Sequence, residues 1–451
     1  MQKEEMIQEN KMGVMPVNRL LLTMSIPMII SMLIQALYNV VDSIFVARID
    51  ENALTAVSLV FPVQSVMIAV STGTCVGVNA ILSKRLGEKR MEEADKTANI
   101  AVLLSILSYV VFLLIGIFCS KLFFSIQTTD KQIVAYGSSY MRIVCCLSFG
   151  LFLQVCFERL LQSTGRTIYT MLMQGTGAII NIILDPILIF GYFGFPRMGI
   201  AGAAVATVTG QIIAMMLGLY FNHRVNHEIH LSPRKMTFDG AIIKEIYKIG
   251  VPAILMQSIG SVMVFLMNKI LMGFTSTATA VFGIYFKLQS IVFMPIFGLS
   301  NGMVPIVAYN YGARKRERMI QTMKYSMVYA TVIMTLGMLF AEVAPGFLLQ
   351  MFDASESMMA IGIPAVRILC SCFVLAGFNI IASSLFQAVG DSVYSLIMSG
   401  IRQLIVLLPA AYLLSLTKEL DAVWLSFPIA EVAAIIVSAV LLKKVLKKLD
   451  F

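Results

Sequence analysis

The sequence predicts an all-α polytopic membrane protein, with twelve transmembrane helices forming two pseudo-twofold-related six-helix bundles. Composition is the first ground: of 451 residues, 58% are hydrophobic and only 13% charged, whereas soluble domains carry about 25% charged residues. The lengths of the apolar runs are the second, because a helix needs about 20 apolar residues to cross the hydrocarbon core. The third is internal repetition. Sliding the chain along itself by 225 residues lays Pro27 on Pro252 and the first half on the second.

Taken in order, the first span covers about 19–47, after a polar tail, 1–18. It is too long for a signal-peptide core and reads as a retained span. Pro27 removes the hydrogen bond to the Thr23 carbonyl and permits a kink, either static or moving with protonation. The second span, about 53–82, ends in the charged turn SKRLGEKR. Spans three and four follow at about 97–119 and 133–161, the latter reaching Glu158, Arg159 and the turn QSTGR. The fifth, about 168–191, holds NIILDPILIFG and so places Asp185 inside an apolar run. A charge there costs roughly 2.5 to 3.5 kcal/mol even on a lenient scale, so it should face protein or water and mark an ion path. Asn181 lies one turn earlier on the same face. Pro186 cannot donate to the Ile182 carbonyl and disfavours helical geometry at Asp185. The sixth span, about 199–221, completes a first lobe at 19–221.

A polar linker, 222–244, leads to a second lobe at 245–442 and a basic tail at 443–451. Its spans fall at about 246–272, 278–308, 323–344, 358–386, 393–415 and 422–442. Most of the 34 Lys and Arg residues sit on the side shared by the termini, including Lys84, Arg85, Arg234 and Arg318. By the positive-inside rule both termini are cytoplasmic, in a multi-pass cell (inner) membrane protein. The net charge of +9 follows from that bias, so it implies no nucleic-acid partner. The seven cysteines lie in or beside apolar segments without CxxC spacing and read as small packing hydrophobes. No GxSxG, GxGD or Walker A sequence indicates an enzyme or a nucleotide-driven pump.

The repeat keeps one register over a long stretch, with Phe61 on Phe286, Gly73 on Gly298, Gly77 on Gly302, Arg142 on Arg367 and Gln162 on Gln387. Six spans separate the copies, so both enter the membrane the same way up. The loop after span two lacks the acidic motif of the major facilitator fold. SKRLGEK and NYGARKR, QSTGR and QAVGD, the proline-bearing first span with Asp42, ILDPILIFG and GIAGAAVAT together resemble the multidrug and toxic compound extrusion (MATE) transporters. The similarity covers nearly the whole chain and is greatest to the bacterial branch with coupling acids in the N-terminal bundle. It implies a V-shaped pair of lobes exporting cationic or amphipathic compounds against Na⁺ or H⁺.

Asp42 is the second acid within a span, and Asn39 and Gln35 share its stripe three and seven residues earlier. Asp42, Asp185 and Thr207 all fall in the outer half of the membrane. The expected coupling site is Asp42, Asn181, Asp185 and Thr207 with a carbonyl such as that of Ala203, since hard cations take oxygen ligands. The corresponding positions of the resembling branch hold this role. Gln35, Asn39 and Glu158 are the candidate substrate contacts; Glu158 reads equally as a rim pair with Arg159. Under the 225-residue shift Asp42 meets Met267, Glu158 meets Ser383 and Asp185 meets Ala410, so the acids belong to the first lobe only. The second lobe has Lys269, Lys287 and Arg402 instead, with Glu431 as counter-ion for Lys287 or Arg402 in a structural charge pair.

The 31 methionines suit an adaptable cavity but pack equally well against lipid. HRVNHEIH in the linker brings His223, His227 and His230 to a spacing that would suit a metal on one helix face, although a solvated helix end is the plainer reading. No cofactor and no metal beyond a coupling Na⁺ are expected, and the chain reads as a monomer. The resulting expectation is a cation-coupled antiporter for multidrug efflux. A flippase for lipid-linked precursors shares the two-lobe plan but calls for a longer chain and a strongly basic cavity. A membrane-embedded sensor or scaffold is the alternative outside transport.

Overall fold

The computed structural model describes residues 10–49, 51–352 and 354–448; the outermost parts of both expected tails lie outside it. A short helix, α1 (Lys11–Val14), precedes the first lobe: α2 (Val17–Ala47), α3 (Glu51–Gly87), α4 (Met91–Phe118), α5 (Ser120–Gln127), α6 (Lys131–Cys146), α7 (Phe149–Ser163), α8 (Thr167–Phe190) and α9 (Ile200–Arg224). The second lobe has α10 (Gly240–Met272), α11 (Ser276–Gly312), α12 (Arg316–Val343), α13 (Pro345–Gln350), α14 (Glu356–Cys370), α15 (Phe373–Ala388) and α16 (Ser392–Gly400). A π-helical segment, Ile401–Leu407, joins α16 to α17 (Leu408–Ser415), followed by α18 (Leu420–Trp424) and α19 (Ser426–Lys448). Among the described residues ten helical stretches are long and apolar enough to span, and the pairs α6–α7 and α14–α15 bring the total to twelve.

Local chemistry sets the starts of several helices. Asp130, Asp239, Thr275 and Ser355 accept the free first-turn amides of α6, α10, α11 and α14. Val328, Val332 and Leu336 of α12 repeat every four residues and are all more than half exposed, as are Ile436 and Val440 of α19. Such stripes have no place in water and mark the lipid-facing surface. Pro27 sits inside an unbroken α2. The fourth and tenth spans are not the straight rods that their hydropathy implies. They bend by 43° and 46° where α6 meets α7 and α14 meets α15.

The lobes touch along two equivalent seams. α3 packs on α10 through Gly73 and Gly77, and α11 packs on α2 through Gly298 and Gly302. A Cβ on Gly298 would lie 2.6 Å from the backbone of Ile29; on Gly302 it would lie 2.8 Å from Ser25 Cα. Arg85 of α3, itself buried, pairs with Glu245 of α10 at 2.9 Å. These contacts close the basic end of the molecule, where the linker and the described start of the chain also gather.

There α1 is held by both lobes. Asn10 donates to the Thr164 carbonyl at 3.2 Å and to Glu228 Oε1 at 2.6 Å. Asn310 and Arg318 of the second lobe donate to the Met12 carbonyl, and Arg318 also to that of Met15. Burial pushes the Glu228 carboxyl above its usual range, outweighing Arg166 and Lys11 beside it. The two groups that α1 brings to it, the Asn10 amide and the Lys11 ammonium, both favour the charged carboxylate, so these contacts of α1 weaken as pH falls and Glu228 takes up its proton. Glu228→Gln, which is never charged, is therefore expected to loosen α1 at neutral pH and to remove the pH dependence of its docking. Deuterium uptake at residues 10–15, corrected for intrinsic exchange, should lose its pH dependence in this variant, and retention of the wild-type dependence would refute the assignment.

Candidate cation and substrate site

Asp185 is completely buried on α8, which continues as helix through Pro186 to Phe190. The proline therefore leaves the geometry at Asp185 helical, contrary to the sequence expectation, because α9 packs along the whole length of α8. Glycines allow that approach: a Cβ on Gly202 would lie 2.6 Å from the Leu188 carbonyl carbon, and one on Gly210 would lie 2.6 Å from the Gly177 carbonyl oxygen. Asn181 Nδ2 consequently stands 3.3 Å from Thr207 Oγ1 and 3.5 Å from Asp185 Oδ1. Thr207 in turn donates to the Ala203 carbonyl at 3.0 Å.

From α2, Asp42 brings its carboxyl against that of Asp185. Asp42 Oδ1, Asp185 Oδ2 and Asn181 Oδ1 are buried without a hydrogen-bond partner. Buried polar atoms are normally satisfied, and two carboxylates in contact repel unless a proton or cation sits between them. The described residues place no Lys or Arg in an ion pair with either acid. The donor set is all oxygen, as Na⁺ requires, and it equally accommodates a shared proton.

The site opens onto a first-lobe cavity of about 400 Å³. Asp42, Asn181 and Thr207 line it, together with Gln35, Asn39 and Glu158. Asp185 and Ala203 lie behind its wall. Sequence reasoning missed Tyr38, Gln64, Tyr140, Gln154 and Gln174, which also line it. Two of them carried a signal, since Tyr38 and Gln154 each lie one helical turn before a buried acid. Glu158 is buried and accepts hydrogen bonds from Gln154 and Gln174, each at 3.0 Å. It does not form the rim pair with Arg159, whose guanidinium points to Gln162 and Asn301.

In the second lobe Arg402 pairs with Glu431 at 2.8 Å, and Asn379 donates to the other Glu431 oxygen at 2.7 Å. Lys287 takes no part. It is exposed over the Phe352 ring, and among the described residues no carboxylate lies within ion-pair distance of it. Arg402 occupies the position equivalent to Gly177, where the first lobe instead has a close helix contact: a Cβ on Gly177 would lie 3.0 Å from the Gly210 carbonyl oxygen. Glu431→Ala should strand that charge and cost about 3–5 kcal/mol, whereas replacing both partners by Met and Leu should recover most of the loss. Thermal unfolding in detergent measures this; equal destabilisation of both variants would contradict it.

The three histidines do not share a helix face, because α9 stops at Arg224 and His227 and His230 follow in the linker. Among the described residues no three His, Cys, Asp or Glu side chains gather as a metal site.

The MatE family model matches residues 27–187 and again 252–413, once in each half of the repeat. The chain belongs to the MatE family. This MATE protein is 28% identical over 408 residues to the multidrug export protein MepA of Staphylococcus haemolyticus, covering 90% of this chain and 89% of that one. It is 26% identical to an FAD transporter of Shewanella oneidensis, covering 92% of each chain. Among solved structures it matches the outward-facing conformation of a multidrug resistance MATE family transporter, with TM-score 0.92, 25% identity and 98% of both chains covered. It also matches a MOP superfamily transporter from Pyrococcus furiosus described as having a binding pocket of reverse polarity, with TM-score 0.89, 26% identity, and 98% and 99% covered. MATE proteins are membrane transporters, and this one is a multi-pass, two-lobe member with twelve spans among its described residues.

Proposed function

We propose that this MATE protein exports cationic or amphipathic small molecules in exchange for H⁺ or Na⁺. The observation that carries the reading is the contact of Asp42 with Asp185 beside three unpartnered oxygens, at the wall of a cavity that also holds Glu158. Outward-facing, the acid pair takes up its ion and the drug leaves; inward-facing, the ion departs and the cavity refills. The closed glycine seams at the basic end, and the likeness to an outward-facing relative, support an outward-facing arrangement. In this reading both termini are cytoplasmic, the chain lies in the cell's inner membrane, and it works as a monomer. One charge moving down 100 mV supplies about 2.3 kcal/mol before any concentration gradient.

The test is ethidium transport in proteoliposomes under separately imposed pH and Na⁺ gradients. One gradient should drive transport and an ionophore should collapse it. Transport indifferent to both gradients would reject antiport, and movement of lipid-linked precursors in place of ethidium would favour the flippase.

A further inference from the structure

Arg159 follows Glu158 on α7 and lines the same cavity, yet the two opposite charges do not pair. Glu158 is satisfied by two glutamine amides. Arg159 Nη1 donates to Gln162 Oε1 at 2.9 Å and, across the lobe boundary, to Asn301 Oδ1 of α11 at 3.0 Å. Asn301 adjoins Gly302, which packs against Ser25 in the interlobe seam. A second-lobe side chain thus holds a positive charge in the floor of the first-lobe cavity. Neither half of the contact belongs to the duplicated scaffold, since the residue equivalent to Arg159 is Ser384 and that equivalent to Asn301 is Val76. An arginine within a span is costly and is kept where it faces a cavity or serves transport.

We propose that Asn301 positions Arg159 as a built-in competitor of the cationic substrate. With the basic end shut, the pinned guanidinium beside Glu158 lowers the cavity's affinity for a second cation and favours release to the outside. When the lobes part at that end, α11 carries Asn301 away from α7. Arg159 can then extend its charge toward water on its long apolar stem. Glu158 then meets the next cation without that neighbour. Affinity for a cation thereby depends on which end of the cavity is closed, as export requires. This assignment rests on the cation-efflux reading above.

The experiment measures binding of ethidium, a cation, and Nile red, a neutral dye, to the purified full chain by fluorescence. Removing a unit charge several ångströms away in partly solvated protein should tighten ethidium about tenfold. Arg159→Gln and Asn301→Ala should each do so and leave Nile red unchanged. The double variant should gain no more than Arg159→Gln alone, because Asn301 acts through Arg159. Arg159→Lys, which keeps the charge, should stay within about threefold of wild type. Tighter binding is the opposite of what damage to the cavity would produce. Weaker or unchanged ethidium binding in Arg159→Gln that melts like wild type overturns the assignment, as does an equal change for both dyes. Wild-type protein that binds no ethidium overturns the efflux reading and this assignment together, whereas wild-type binding without a gain in Arg159→Gln overturns this assignment alone.

Discussion

Asp185→Asn is expected to reduce gradient-driven ethidium efflux to background, a loss of about 100-fold or more, while leaving the protein folded. The substitution preserves side-chain volume and can still accept the hydrogen bond from Asn181, but it can neither take up a proton nor neutralise a cation. Asp42→Asn should do the same, because each carboxyl is half of one site. The double variant should be no worse than either single, as groups acting as a unit behave. Exchange of ethidium across the membrane without a gradient should survive, since the cavity and Glu158 remain. Stability should move the other way: buried carboxylate oxygens without partners are a burden to the fold, so Asp185→Asn should melt higher than wild type. Efflux still driven by the gradient in Asp185→Asn would remove the acid pair from the coupling site.

Much of this site was legible in the sequence, because the high cost of a carboxylate in an apolar span singles out Asp42 and Asp185. The helical period then adds Asn181, Asn39 and Gln35. Their meeting across helices depended on a less visible feature, the glycines that bring α9 onto α8 and so place Thr207 beside Asn181. The spans were equally legible as apolar runs, but hydropathy records length and not continuity. No proline marks residues 147–148 or 371–372; at both bends a serine hydroxyl instead bonds the preceding turn, Ser148 donating to the Cys145 carbonyl and Ser371 to that of Ile368. The π-helical segment Ile401–Leu407 is marked only by its flanks, Gly400 before it and Pro409 after it, whose missing amide leaves the Ile405 carbonyl without its usual donor. The short helices α5 and α13 fell below the length of any span window, although they begin at equivalent positions, Ser120 and Pro345. The interlobe partners of Arg85 and Arg159 were invisible because a sequence shift compares each lobe with its copy, never with its neighbour.

The same shift pairs Gly77 with Gly302 across the two interlobe seams, and under the proposed alternating access Gly77→Ala and Gly302→Ala are expected to drive the protein toward its inward-open form. Both glycines lie at equivalent places in the two seams. A Cβ on Gly77 would stand 3.0 Å from the Ile246 carbonyl carbon and closer still to its oxygen; one on Gly302 would stand 2.9 Å from the Ser25 nitrogen. The obstacles are backbone atoms, which cannot rotate aside as a side chain can. Such overpacking typically costs about 1–3 kcal/mol, and every 1.4 kcal/mol is tenfold in an equilibrium. In the proposed cycle the seam is made only while the basic end is closed, so that cost falls on one state and shifts the population by roughly tenfold to a hundredfold per site. Spin labels at Glu92→Cys and Glu317→Cys, equivalent exposed positions at the basic ends of α4 and α12, should report a longer distance in either glycine variant. Gly283→Ala, with open space around its Cβ position, should leave the distance unchanged. Transport should fall in the seam variants while ethidium binding persists, since a protein resting inward-open still exposes its cavity. An unaltered label distance in Gly77→Ala would mean that the lobes close without this contact, and the seam would then be packing alone.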